Sequence, residues 1–239
     1  MVGKDRLTES EWKKKVASGG SVSADGKTWF PSEKTKKAYD EKLSGVMENG
    51  KTLKDFDAIK DFLRPNLLVF SNCKKVLLDG VTFQNSPAWC LHPLLCEDLT
   101  LRNISVRNPW YSQNGDGLDI ENCRNVVLTG SRFDVGDDGI CLKSGANEEG
   151  RRIGVPTENV LIEDCVVYHA HGGVTIGSEM SAGVRNVRVN NCLFIGTDLG
   201  LRFKSQRGRG GVVEKIYISN VRMTDIATDA IGFNLFYSR

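Results

Sequence analysis

The sequence predicts an all-β chain, a right-handed parallel β-helix, preceded by a partly helical segment. Three observations carry that prediction. First, taking Val76, Leu99, Val126, Val160, Val187 and Ile216 as anchors, successive residue numbers differ by 23, 27, 34, 27 and 29, a loose repeat of one strand unit. Second, two positions after each anchor come Leu78, Leu101, Leu128, Ile162, Val189 and Ile218, and seven after come Phe83, Val106, Phe133, Val167, Phe194 and Met223, all apolar. Third, four after come Gly80, Asn103, Gly130, Asp164, Asn191 and Asn220, the residue types that tolerate a left-handed backbone. A strand, a one-residue bend and a second strand, repeated on every turn, wind into a solenoid whose coils rise about 4.8 Å each. Asn at successive bends can form hydrogen-bonded ladders. The regular hairpin turns of a β-sandwich are absent.

The elements follow in order. Residues 1–66 are Lys-rich and lack strand alternation. Thr8 and Glu11 have the spacing of a capping box, which predicts a short helix through Lys15. Residues 23–30, SADGKTWF, are turn chemistry followed by an aromatic stretch. Leu53, Phe56, Ile59 and Leu63 lie three or four apart, so 52–63 reads as an amphipathic helix stopped by Pro65. This segment reads as an insertion or lid packed on the main body, and 67–239 as the coils. Cys73, Cys96 and Cys123 sit three before their anchors, and Cys165 and Cys192 five after theirs. They occupy columns filled elsewhere by Val, Ile or Ser, so the seven cysteines, which include Cys90 and Cys141, read as reduced thiols in the core.

Composition excludes several functions. The 32 Lys+Arg and 30 Asp+Glu nearly cancel, which argues against bulk nucleic-acid binding. No run of 18 apolar residues spans a membrane, and the opening MVGKDRLTES lacks the apolar core of a signal peptide. No CxxC pair offers a zinc ribbon or a thioredoxin motif.

A second alignment locates the chemistry. Gly117, Gly139, Gly173, Gly200 and Ala230 begin successive strands. The position before reads Asp116, Asp138, Gly172, Leu199, Asp229; the one before that reads Gly115, Asp137, His171, Asp198, Thr228. Two after the glycines come Asp119, Cys141, Thr175, Arg202 and Gly232, and four after come Glu121, Lys143, Gly177, Lys204 and Asn234. Strand positions two apart share a face, so Asp116, Asp137, Asp138, His171, Arg202 and Lys204 gather on one wall. Asp beside Gly is ordinarily turn chemistry, but stacked carboxylates raise one another's pKa, which solvated turns gain nothing from. Glu121 and Lys143 read as a structural pair across adjacent coils. Paired carboxylates in a groove suit glycosidic cleavage, and a nearby Arg/Lys pair suits a substrate bearing carboxylates.

NGDGLDI (114–120), GDDGICLKSG (136–145), HGGVTIGS (171–178) and RFK (202–204) resemble the four ordered motifs of glycoside hydrolase family 28, the polygalacturonases, whose usual forms are NTD, G/QDD, GHG and RIK. The resemblance covers roughly 67–239, and PAWCLHP and RFKSQRGRGG are similar to the bacterial, often exo-acting branch. Gly115, Ala170 and Phe203 depart from the motifs without removing a functional side chain. The resemblance implies a pectin-lyase-like solenoid and inverting hydrolysis of α-1,4 links between galacturonates. It implies Asp137 as general acid, Asp116 and Asp138 holding and deprotonating water, and His171 supporting the acid. Arg202, Lys204 and Tyr237 would bind the substrate. It implies no metal, no cofactor, a monomer and an extracellular or periplasmic setting. Stacked Asp116 and Asp138, about 5 Å apart, lie nearer than the usual inverting separation of about 6.5–9.5 Å. Family members carry coils before the insertion and after Tyr237, so the chain reads as a truncated segment. A polysaccharide lyase of the same fold, with a Ca²⁺ site, and an inactive carbohydrate-binding solenoid are the alternatives; endo or exo action stays open.

Overall fold

The computed structural model describes residues 1–41, 43 and 51–237. It divides into two compact units, Met1–Pro65 with Tyr111–Gln113, and Asn66–Trp110 with Asn114–Arg239.

The second unit is a parallel β-solenoid. Among the described residues it holds three sheets of seven, six and six strands, and each coil gives one strand to each sheet in sequence order. The predicted register is observed throughout: Val76, Leu99, Val126, Val160, Val187 and Ile216 pair in succession, as do the columns two and seven positions later. All six predicted bends have a left-handed backbone, with φ between 48° and 69°. Leu101, Leu128, Ile162 and Val189 are fully buried, whereas Leu78 is half-buried and Ile218 is 38% exposed. Burial of this apolar column thus stops at its two end members, which have a neighbouring coil on one side only among the described residues.

A second left-handed column was not anticipated. Lys75, Asp98, Asn125, Asn159, Asn186 and Lys215, each one residue before its anchor, all have φ between 52° and 58°. Their side chains form a ladder: Asn186 donates to Asn159, Asn159 to Asn125 and Asn125 to Asp98. The cysteines stack as expected. The Cys73 N–H donates to Cys96 Sγ and the Cys96 N–H to Cys123 Sγ, and all seven thiols are free.

The glycines that begin the strands of the seven-stranded sheet are required by packing. A Cβ on Gly117 would strike Phe133, on Gly139 Val167, on Gly173 Phe194 and on Gly200 Met223. The small column thus exists because the large column of the same coil fills its space.

The first unit contains a short antiparallel sheet of Val2–Gly3, Ser21–Val22 and Thr28–Phe30, in the order first, third, second. The helix Glu9–Ala17 starts at the predicted capping box, with the Thr8 side chain accepting from the Glu11 N–H and Glu11 accepting from the Thr8 N–H. A helix over Glu33–Asp40, capped by Ser32, was not foreseen. The helix expected over 52–63 is a 3₁₀ helix, Leu53–Phe62, with Ile59 buried but Leu53 79% exposed. The spacing of three between Leu53, Phe56 and Ile59 suits the 3.0-residue turn, but Leu53, at its first position, stays outside.

Candidate active site

The seven-stranded sheet carries the site. Its strands Leu118–Glu121, Ile140–Lys143, Gly172–Ile176 and Leu199–Lys204 lie side by side in the register read from the sequence. One carboxylate oxygen from each of Asp116, Asp137 and Asp138 falls within 4.8 Å of the others.

Asp138 is fully buried, and four groups converge on it. Its Oδ1 accepts from Thr175 Oγ1 at 2.9 Å and Arg202 Nη1 at 3.2 Å, and its Oδ2 accepts from Lys204 Nζ at 2.6 Å. Cys141 Sγ lies 3.8 Å from Oδ2. Gly172 clears the route, since a Cβ there would strike Thr175 Oγ1 and crowd the Arg202 side chain. Tyr237 closes this side, its ring centre 4.9 Å from Lys204 Nζ and 5.6 Å from the Arg202 guanidinium. Burial alone would lower the Lys204 pKa, but the charge of Asp138 raises it above the ordinary lysine value.

Asp137 accepts three N–H groups. Oδ1 takes His171 Nδ1 and the Asp138 backbone N–H, each at 3.0 Å, and Oδ2 takes the Asn114 backbone N–H at 3.2 Å. Burial pushes its pKa up, but the hydrogen bond and charge of His171, with Lys204 and Arg202, prevail and hold it below the ordinary carboxylate value. Asp116 behaves oppositely. It is buried, its Oδ1 has no hydrogen-bond partner among the described residues, and burial first, then Asp119, Asp137 and Asp138, push its pKa well up. The like-charge elevation expected of stacked carboxylates therefore falls on Asp116 and not on Asp137, because His171, Lys204 and Arg202 face Asp137.

The structure thus brings Asp116, Asp137, Asp138, His171, Arg202, Lys204 and Tyr237 into one cluster. Arg202 and Lys204 lie against Asp138, closer to the acids than a purely substrate-facing pair. Three participants were missed. Asp198 approaches His171 Nε2 at 3.8 Å, and it stands in the His171 column, where the alignment could have found it. Thr175 stands between Cys141 and Arg202 in another column. Asn114 acts through its backbone N–H, from a left-handed conformation, φ 55°, that Asn tolerates.

The pair expected between Glu121 and Lys143 takes another form. Lys143 Nζ lies 2.8 Å from Glu179 and 3.6 Å from Asp119, 4.6 Å from the centre of the Trp89 ring. Glu121 pairs with His92 at 2.8 Å and accepts the Gly145 N–H.

The profile of the Glycosyl hydrolases family 28 matches residues 4–238. The chain is 31% identical over 163 residues to a probable polygalacturonase of Vitis vinifera, covering 68% of this chain and 33% of that protein. It is 28% identical over 175 residues to an exo-poly-alpha-D-galacturonosidase of Dickeya chrysanthemi, covering 73% of this chain and 29% of the relative. The fold matches the crystal structure of a hyperthermoactive exopolygalacturonase from Thermotoga maritima with a TM-score of 0.72 and 37% identity, covering 84% of this chain and 44% of that one. The chain spans about a third of the length of the curated relatives it matches.

Proposed function

The chain belongs to the glycosyl hydrolases family 28, and on that premise we propose that it hydrolyses α-1,4 links between galacturonates in pectin or polygalacturonate. One observation carries the choice of an acidic sugar. Arg202 and Lys204 both bond Asp138 at the edge of the acidic cluster, beside the ring of Tyr237. A galacturonate carboxylate is the complement of such a pair of cations.

In this reading Asp137 gives its proton to the leaving oxygen. In the free protein it is held ionised by His171, Lys204 and Arg202. A substrate carboxylate engaging the two cations offsets their charge, which raises the tendency of Asp137 to hold a proton once substrate is bound. His171, its Nδ1 3.0 Å from Asp137 Oδ1, holds the acid in position. Asp138 takes the proton of the attacking water, and Asp116, whose pKa burial pushes up, holds the water in place. Inversion follows if the water attacks opposite the leaving group. The carboxylate oxygens approach within 4.8 Å, nearer the retaining spacing of about 5–5.5 Å, so the anomer first released, read by proton NMR, is the direct test of stereochemistry.

A lyase would need carboxylates open to Ca²⁺. Both oxygens of Asp138 already face cations of the chain itself, which favours hydrolysis. Action outside the cytoplasm, as a monomer on a polymer, accords with this substrate. No helix among the described residues is long and apolar enough to cross a membrane.

Reducing ends released from polygalacturonate test the reading. Wild type should release them without unsaturated products, insensitive to EDTA, and Asp137→Asn should lose at least ~10²-fold in kcat. Release of unsaturated ends would replace hydrolysis by elimination, and near-normal turnover of Asp137→Asn would remove Asp137 from the acid role.

A further inference from the structure

A lone exposed tryptophan needs no explanation, but Trp110 differs from the ordinary case in three respects. It is 46% exposed, yet its loop is fastened on both sides. On one side the buried Asn108 donates its N–H to the Asp134 carbonyl at 2.9 Å and its side-chain amide to the carbonyls of Gly115 and Asp116, while its Oδ1 accepts the Ser86 N–H. On the other side Asn114 donates its N–H to the Asp137 carboxylate. The ring is thus presented to solvent by backbone that is already ordered, so a ligand landing on it does not bear the cost of fixing the loop.

Second, Trp110 is part of a shelf. Its ring centre lies 6.4 Å from that of His169, which is itself 6.3 Å from Tyr168. His169 Nδ1 is 2.9 Å from Asp134 Oδ1, and the exposed Arg107 is the cross-strand neighbour of Asp134. Gly196 on the next coil lies beneath the imidazole, where a Cβ would approach the ring to 3.5 Å. The surface therefore offers the face of the Trp110 ring, with the His169 ring tilted 43° beside it, edged by hydrogen-bonding groups. A pyranose ring has the matching chemistry, with a face of C–H groups and a rim of hydroxyls.

Third, the shelf adjoins the reacting groups. His169 is two residues from His171, so their backbones stand at most roughly 7 Å apart.

We propose that Trp110, with His169 and Asp134 at its edge, is a sugar-binding subsite that stacks a pyranose ring of the polymer next to the unit being cleaved. It rests on the hydrolase reading above and adds a binding site to it. Trp110 is a binding residue here and takes no part in proton transfer.

The test measures binding apart from turnover. In an Asp137→Asn background, hexagalacturonate affinity is measured by calorimetry with Trp, Tyr and Ala at position 110. The Ala variant should bind about three- to tenfold more weakly, the range expected for losing one aromatic stack, and Tyr should restore most of the affinity. In the active protein Trp110→Ala should raise KM by the same factor and leave kcat within about twofold. Because three other tryptophans are present, the ligand-induced change in tryptophan fluorescence should shrink in Trp110→Tyr if position 110 is the reporter. Affinity and KM within twofold of the parent would overturn the subsite, as would a fall in kcat with KM unchanged, which would mark Trp110 as a support of the Asn114–Asp137 contact. Either result leaves the hydrolase reading intact, whereas failure of the wild-type protein to release reducing ends would remove that reading without bearing on the calorimetry.

Discussion

Two buried lysines stand in one column of the same sheet, two coils apart, and their surroundings differ in one respect. Lys143 faces two carboxylates, Asp119 and Glu179, and the ring of Trp89 covers it. Lys204 shares one carboxylate, Asp138, with a second cation, Arg202. In the first cluster one cation is enough for Glu179, whose pKa burial would raise but Lys143 brings down to about 2; Asp119 is pushed by burial up to about 8. That cluster is balanced internally and reads as structure. The second sets two cations on one carboxylate, with Asp137 nearby and a tyrosine at its mouth. The same strand position thus serves stability or binding according to the ratio of charges around it.

The largest effect expected from breaking this contrast is at Asp138. Asp138→Asn should cost ~10²–10⁴-fold in kcat, the span of general-base effects, with the fold retained by circular dichroism. A fully active Asp138→Asn would make the two clusters equivalent. Lys143→Met should act on stability. Removing one partner of a buried pair costs about 3–5 kcal/mol, and the lower figure applies because Asp119 can stay protonated. A fall in Tm of roughly 6–12 °C is then expected. Unchanged Tm with lost activity would move Lys143 into the binding site.

Lys204→Met should show the reverse, with about ten- to a hundredfold lower kcat/KM on polygalacturonate, the worth of one charge-assisted contact. The loss should be smaller on methyl-esterified pectin, which presents no charge to the pair. Equal losses on both substrates would deny that the pair reads a carboxylate.

The smallest effect concerns Asp119. Its folded pKa lies above the unfolded one, so its contribution to stability is full below about pH 3.8 and is lost as pH rises through about 8. Asn imitates the protonated carboxyl at all pH. The Tm of Asp119→Asn should therefore exceed wild type by a margin that grows from pH 4 to pH 8. A constant margin would show that Asp119 does not titrate in that window.

Much of this was legible in the sequence, and the reasons for what was not are physical. The solenoid register was readable because Leu101, Leu128 and their column repeat one requirement, burial, on every coil. The left-handed residues before the anchors escaped notice because Lys75 and Lys215 occupy two of those six places, so residue type no longer marks the backbone state. The sheet of the first unit escaped because strands of two and three residues have no period to detect. At the site, the columns brought the right side chains together, but which acid holds a proton depends on depth and on where the cations settle. Arg202 and Lys204 read as substrate-binding residues on the wall of the acids, and their approach to Asp138 sets the opposite shifts of Asp116 and Asp137.

The invariant bend four residues after each anchor has an evolutionary consequence. Coil lengths vary, yet the stretch from anchor to bend to second strand never does, so every insertion falls at the other two corners, on either side of the seven-stranded sheet. Those corners border the cluster of acids and bases. New segments there can be gained, lost or exchanged without disturbing the ladder that fixes the register, and each change reshapes the groove walls. A lineage built on such coils can retune which polymer it admits by editing its edges while the folding code stays untouched.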